Sequence, residues 1–441
     1  MMMVGNRIGR SSQGARLVVA AASGASLWFA AFAKAQDYEG QLYPPMNAPL
    51  EAIFEQGRNL SFATMLLAVT VALTLGNGFR RMDWRSASLY IAAVNVFLLF
   101  KLFLYGNTGI FLQGTFAIFV QMLVFVVCAA GYERESFRQR SYMPHVVQTI
   151  YVFALLFVSC NMYVYFYFPG SSIVLSSSRF FGITANPQHL AMSCALCVPA
   201  LLYCVVRYGM KSIVGTLAVT IMACVLFIEY HSGSRLGFFS TIICIILACR
   251  FFLDRRRFVY VIILGALAMP VLYVSLYDSI ADLIRSRFVE GRTDTRSEYW
   301  ASGWDQFIRN PLLGGEPSGD PPKYYFTVSS WISAAYSGGM IALLLLFLFL
   351  FSAIGYIFRI NKLRDLRSME QEYADLYISA IALILTVSVF EAVFLGVFSA
   401  HTMMVYLYVA GAGTLVGASK RLVYAPRRQF IDADRLRAGR Q

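Results

Sequence analysis

Charge is scarce in this sequence, and acid is scarcer than base. Of 441 residues 14% are charged and 58% are hydrophobic, with 24 acidic side chains against 37 lysines and arginines. A soluble core does not need that much apolar sequence, so a soluble globular class is excluded. The eight cysteines all fall inside apolar runs, which leaves no disulfide framework. Cys194 and Cys197 form a CxxC, but the chain offers no second Cys/His pair within reach, and small lipid-buried residues are the simpler reading. Nor is there an internal repeat with paired halves, as a secondary transporter would show.

What is present is a series of apolar runs long enough to cross a bilayer, each needing about 20 residues. The runs predict about twelve spans, with limits near 17–33, 60–78, 88–105, 109–130, 147–168, 189–206, 212–230, 236–252, 258–277, 329–356, 374–397 and 401–418. Between the ninth and tenth lies a long loop, 278–328, inserted in what is otherwise one integral membrane domain covering 1–441. The net charge of +13 sits in short segments between spans, the pattern of cytoplasmic loops rather than of a nucleic-acid-binding surface.

Topology follows from those segments. Arg7, Arg10 and Arg16 favour a cytoplasmic N-terminus, and the next loop, "QDYEGQLYPPMNAPLEAIFEQG", is acidic as an external loop should be. Alternation then makes "FRRMDWR", "YERESFRQR", "RYGMK", "LDRRRF", "RINKLRDLR" and the tail "KRLVYAPRR" cytoplasmic, and every one is basic. Both termini are therefore expected inside. "AKAQ" at 33–36 also offers a signal-peptide cleavage pattern, which would remove the first span without moving any later loop.

Some arginines fall on the wrong side. Arg235 in "HSGSRLGFF" (231–239), Arg179 in "SSSRFFGITANPQHLA", and Arg285, Arg287, Arg292 and Arg296 in the long loop are external, where orientation does not call for them. The long loop holds acids that can pair with its own arginines. The segments around Arg179 and Arg235 hold none, so their guests are expected from elsewhere. A guanidinium fork suits phosphate oxygens, and a lipid-borne phosphate is the natural guest. Arg179 and Arg235 are the first candidates, followed by Arg296 and Arg292.

Other residues carry weaker signals. Trp300, Trp304 and Phe307 recur at helical spacing in the long loop, predicting an amphipathic helix that lies on the external face or caps the bundle. His231, His401 and His189 lie near external span ends, each readable as a base or as a hydrogen-bonded structural histidine; His145 falls on the cytoplasmic side. Glu391 is an acid within a predicted span, with a functional role or pairing to an external arginine as its two readings. Lys101 is expected to snorkel outward. "NMYVYFYFPG" (161–170) reads as an aromatic belt or a sugar-stacking surface.

At these residues the chain resembles the bacterial O-antigen ligase/polymerase family. "RFFGITANPQHLA" resembles its Arg-x-x-Gly…Asn-Pro-x-x-x-Ala segment. "HSGSRLGFF" resembles its Ser-x-Ser-Arg-Gly hinge, with Leu236 intervening. "RSEYWASGWDQFIRNPLLGGEP" (296–317) resembles the Arg…Trp…Pro-Leu-x-Gly segment of its periplasmic loop. The likeness covers about residues 145–350. It implies a bacterial inner-membrane glycosyltransferase of GT-C-like architecture that uses undecaprenyl-pyrophosphate-linked glycans, with no cofactor and no metal.

Ligases of the family usually carry a His-Asn pair ahead of a Gly-rich span start. Here Val328 and Ser329 stand at those positions in "FTVSSWISAAYSGGMIALLL", which favours the polymerase branch. Polymerisation of lipid-linked repeat units into O-antigen or exopolysaccharide is then the leading expectation. Ligation to lipid A-core or another acceptor is the alternative, and a lipid-linked oligosaccharide flippase the second. Partners implied are the lipid-linked glycan, membrane lipid and a chain-length regulator. In the implied chemistry Arg179, Arg235, Arg296 and Arg292 bind pyrophosphate, while His231, His401 and Glu391 are the candidates for an acceptor-activating base.

Overall fold

A computed structural model describes residues 2–36, 50–75, 87–104, 143–174, 179–184, 186–252, 295–317, 329–365, 371–395 and 399–424, with a few positions between 115 and 124. The chain forms helices α1 (Met2–Gln36), α2 (Leu50–Leu75), α3 (Ser88–Leu104), α4 (His145–Tyr167), α5 (Pro187–Tyr208) and α6 (Ile213–Ser232). It continues with α7 (Arg235–Phe252), α8 (Thr295–Arg309), α9 (Ser330–Asp365), α10 (Gln371–Phe390) and α11 (Ala400–Tyr424). A two-residue antiparallel ladder, β1 (Ile173–Val174) with β2 (Arg179–Phe180), bridges α4 and α5.

Among the described residues seven helices are long and apolar enough to cross a membrane, and α3 and the first part of α7 are shorter apolar helices. This is a polytopic α-helical membrane protein. Nine expected spans fall on these helices, the one expected at 401–418 falls on α11, which is not among them, and 109–130 and 258–277 lie largely or wholly outside the described residues. Much of the long loop, including Arg285, Arg287 and Arg292, lies outside them too.

α5 forms the centre, with nearly all of its side chains buried against α4, α6, α7, α10 and α11. The outer surface is apolar: α9 exposes Leu344, Phe347, Phe351 and Phe358, as a helix does when its solvent is hydrocarbon. Small and polar side chains lock the helices to one another. Ser26 and Ser61 exchange hydroxyl-to-carbonyl bonds at 2.7 and 2.8 Å between α1 and α2. The Asn95 amide on α3 donates to the Phe394 carbonyl and the Tyr406 hydroxyl, both at 2.9 Å.

Two expectations are corrected. The span expected at 374–397 stops at Phe390, and Glu391 opens a non-helical connection instead of sitting inside a helix. Lys101 does not snorkel. It is buried, and its ammonium donates to the carbonyls of Leu313, Gly315 and Ser337. Three oxygens converging on one ammonium replace the water that snorkelling would otherwise seek.

Candidate functional site

One end of the bundle collects the C-terminal ends of α4, α6 and α10 and the N-terminal ends of α5, α7, α9 and α11. Tyr165 near the end of α4 meets His231 near the end of α6, with ring centroids 4.8 Å apart. The amide and hydroxyl of Ser330, at the start of α9, both donate to the Glu391 carbonyl just past α10, at 3.1 and 2.9 Å. His189 in the first turn of α5 lies against His401 at the start of α11, centroids 4.9 Å apart. Basic residues Arg207, Lys211, Arg359 and Lys362 belong to the other end, as the charge pattern predicts.

The hinge between α6 and α7 is built by its serines. Gly233 adopts a left-handed conformation (φ 59°) that ends α6. The Ser232 hydroxyl donates to the Glu229 carbonyl at 2.7 Å and accepts from the Ser234 amide at 3.1 Å. The Ser234 carbonyl then accepts the Phe238 amide at 3.1 Å, so α7 starts directly after it. Arg235 is thus the first residue of an 18-residue helix and is exposed at its positive end. Below the hinge, the Thr241 hydroxyl on α7 donates to the Glu229 carboxyl at 2.8 Å, tying α7 to α6.

Arg179 is fixed to the same hinge. Its Nε donates to the Ser232 carbonyl at 2.8 Å, three residues before Arg235. The strand that delivers it depends on Gly182, held at φ 57° beneath Asn161. The Asn161 carboxamide oxygen accepts the Ile183 amide at 3.0 Å. A Cβ on Gly182 would fall 1.8 Å from that oxygen. Gly182→Ala is therefore expected to cost roughly 1–3 kcal/mol from backbone strain alone, with the clash in addition. A lowered melting temperature of the purified protein in detergent is the measurement that checks it.

Arg296, on the first turn of α8, reaches Glu391 across 95 positions of sequence in an ion pair of 2.8 Å. Glu391 is 8% exposed. Its place just past the span gives the carboxyl little water, and burial pushes its pKa up to about 7; the positive charges of Arg296 and then Arg179 pull the other way. Trp300 on the same helix packs over Phe390, centroids 6.4 Å apart. The hinge, Arg179, the α8 arginine and Glu391 are therefore neighbours in one electrostatic cluster.

Residues 217–337 match the family model described as O-antigen ligase. The match takes in the hinge, α7 and α8 and ends at Ser337, so it contains Arg235 and Arg296 and shows the expected resemblance over that stretch. No curated protein matches the chain.

The remaining candidates divide. His231 is half-buried between the rings of Phe227 and Tyr165, with the Tyr165 hydroxyl 3.3 Å from Nδ1. His401 is buried, with Nε2 3.3 Å from the Ser399 hydroxyl. The aromatic stretch 161–170 splits: Tyr165 turns inward, while Tyr163, Phe166 and Tyr167 stay exposed as a belt. Arg292 lies outside the described residues. Among the described residues no group of three or more His, Cys, Asp or Glu side chains is placed to hold a metal ion.

Sequence reasoning missed Glu229, Asn161 and the role of Ser329. Glu229 was visible as an acid in an apolar run. Ser329, where a ligase would carry a polar partner, accepts the Trp331 and Ile332 amides at 3.3 and 3.4 Å and so caps α9.

Proposed function

We propose that this protein is a membrane glycosyltransferase that polymerises pyrophosphate-linked oligosaccharide repeat units at the outer face of the bacterial inner membrane. The observation that carries the reading is the docking of Arg179 onto the hinge that presents Arg235. Arg179 is bonded to the turn that sets Arg235 at the N-terminus of α7, and two guanidinium groups carried at one turn beside a helix N-terminus suit an anion.

In this reading the acceptor's sugar hydroxyl attacks the anomeric carbon of the donor glycan. The bond from that carbon to the pyrophosphate oxygen breaks, and its electron pair leaves with the pyrophosphate. Arg179 and Arg235 face the charge that grows there and stabilise the transition state more than the bound donor. Glu391 accepts the hydroxyl proton, with Arg296 holding the carboxylate in place. The α8 segment, docked along the same end, keeps water from competing with the acceptor. His401 and His231 are the remaining candidates for the proton, and Arg292 for the pyrophosphate.

The description of the matched family favours a second reading, ligation of a finished chain to another acceptor. Deletion of the gene, with glycans profiled on a gel, separates the two. Accumulation of single repeat units with loss of the ladder is the expected result. A full ladder retained on the lipid carrier would mean a ligase, and an unchanged profile would remove both readings and return transport to the front.

A further inference from the structure

α9 is broken near its start. Gly339 takes φ 60°, ψ −150°, so the run that hydropathy reads as one span is a short helix followed by a long one. The loop after α8, "NPLLGG", plugs the break. The Met340 amide donates to the Pro311 carbonyl at 2.8 Å, and the Gly315 amide to the Tyr336 carbonyl at 2.6 Å. The backbones touch: a Cβ on Gly339 would come within 2.5 Å of the Gly314 nitrogen, and one on Gly314 within 2.6 Å of the Gly339 nitrogen.

Lys101 closes this contact from α3. Its ammonium bonds the Leu313 and Gly315 carbonyls of the loop and, at 2.7 Å, the Ser337 carbonyl at the end of the short helix. Carbonyls at a helix C-terminus are unsatisfied and carry partial negative charge. The Ser337 oxygen and the two loop oxygens, turned toward one point, repel one another unless a cation sits among them. The loop that carries Leu313 and Gly315 continues directly from α8, which carries Arg296.

We propose that Lys101 is a positioning residue, an internal cation that latches the α8 loop into the break of α9 and thereby holds Arg296 against Glu391. The inference rests on the reading of Arg296 as part of the site. Lys101 touches neither substrate nor reacting atoms; it acts through the loop.

A disulfide reporter tests it in the full-length protein in native membranes. A Cβ on Gly303 would lie 2.7 Å from Ile332 Cγ2, so Gly303→Cys with Ile332→Cys bridges α8 and α9 within the span a disulfide allows. A protease site inserted within 318–328, between the two cysteines, reports the bridge as two fragments that stay joined until reduced. The chain lacking both substitutions is the background for its native cysteines.

With Lys101 present, mild oxidation is expected to join the fragments rapidly. With Lys101→Met the rate is expected to fall about tenfold or more, as loss of several charge-assisted bonds implies. In a deletion strain Lys101→Met is expected to lose most of the polymer, and the bridge to restore it until reductant is added. A group needed only for folding would not be replaced by a cross-link elsewhere. Should Lys101→Met fail to accumulate, Gly314→Ala, which wedges a methyl between loop and break, is expected to slow the bridge in the same way. Unchanged bridging in the accumulating variant overturns the latch. Slower bridging with polymer unaffected overturns the positioning role. The bridging arm needs no glycan, so it decides the latch even if the deletion strain's glycan profile removes the polymerase reading.

Discussion

Arg235→Ala is expected to lower polymer synthesis by on the order of 100- to 1,000-fold while the protein stays folded. Removing one preorganised donor aimed at developing charge typically has that effect, because nothing mobile in the site can replace it within the reaction. Folding should survive, since Arg235 is exposed and the turn below it is held by Ser232, Ser234 and Gly233. Arg235→Lys keeps a charge at the N-terminus of α7 but loses the planar fork, and an intermediate loss of about tenfold is expected. Rates from membrane vesicles supplied with lipid-linked repeat units, with Lys362→Ala as a control at the opposite end of the bundle, are the measurement. Full activity in Arg235→Ala would end the pyrophosphate assignment. Arg179→Ala should be as severe for two reasons, because it removes a second guanidinium and also the bond to the Ser232 carbonyl that steadies the hinge.

The hinge was legible in the sequence because its signals are local. A polar turn between two apolar runs, with an arginine on the side where orientation does not want one, needs no tertiary information. The helix at 295–309 was legible for the same reason, from the spacing of Trp300, Trp304 and Phe307. Helix limits were less so. Hydropathy placed the second span at 60–78, whereas α2 begins at Leu50, because the polar first turns of a helix do not register as membrane. Partners distant in sequence were legible only in kind. Pairing of Glu391 to an external arginine was one of its two readings, but nothing in the order of residues says that the arginine is Arg296, or that His189 lies on His401. Lys101 was the hardest case. Its partners are backbone carbonyls that converge only because Gly339 breaks α9 and Gly314 fits against the break, and a hydropathy window sees neither.

The base carries the second large effect. Glu391→Gln keeps an oxygen that can accept from Arg296 but cannot take a proton from the acceptor, and a loss of about 100- to 10,000-fold is expected. The pH profile gives the sign. The carboxyl is raised to about 7 by burial, so the competent carboxylate is the minor form at pH 6 and the major form at pH 8. Wild-type rate should therefore climb nearly tenfold per pH unit below the pKa and level off above it. The residual rate of Glu391→Gln should show no such rise. Arg296 lowers this pKa by stabilising the carboxylate, so Arg296→Gln should move the rise to higher pH as well as reduce the plateau. Retention of most of the rate and of the rise in Glu391→Gln would make Glu391 a clamp for Arg296, and would pass the proton to His401 or His231. The direction of the Arg296→Gln shift then separates those outcomes from a general loss of folding, which would scale the whole curve without moving it.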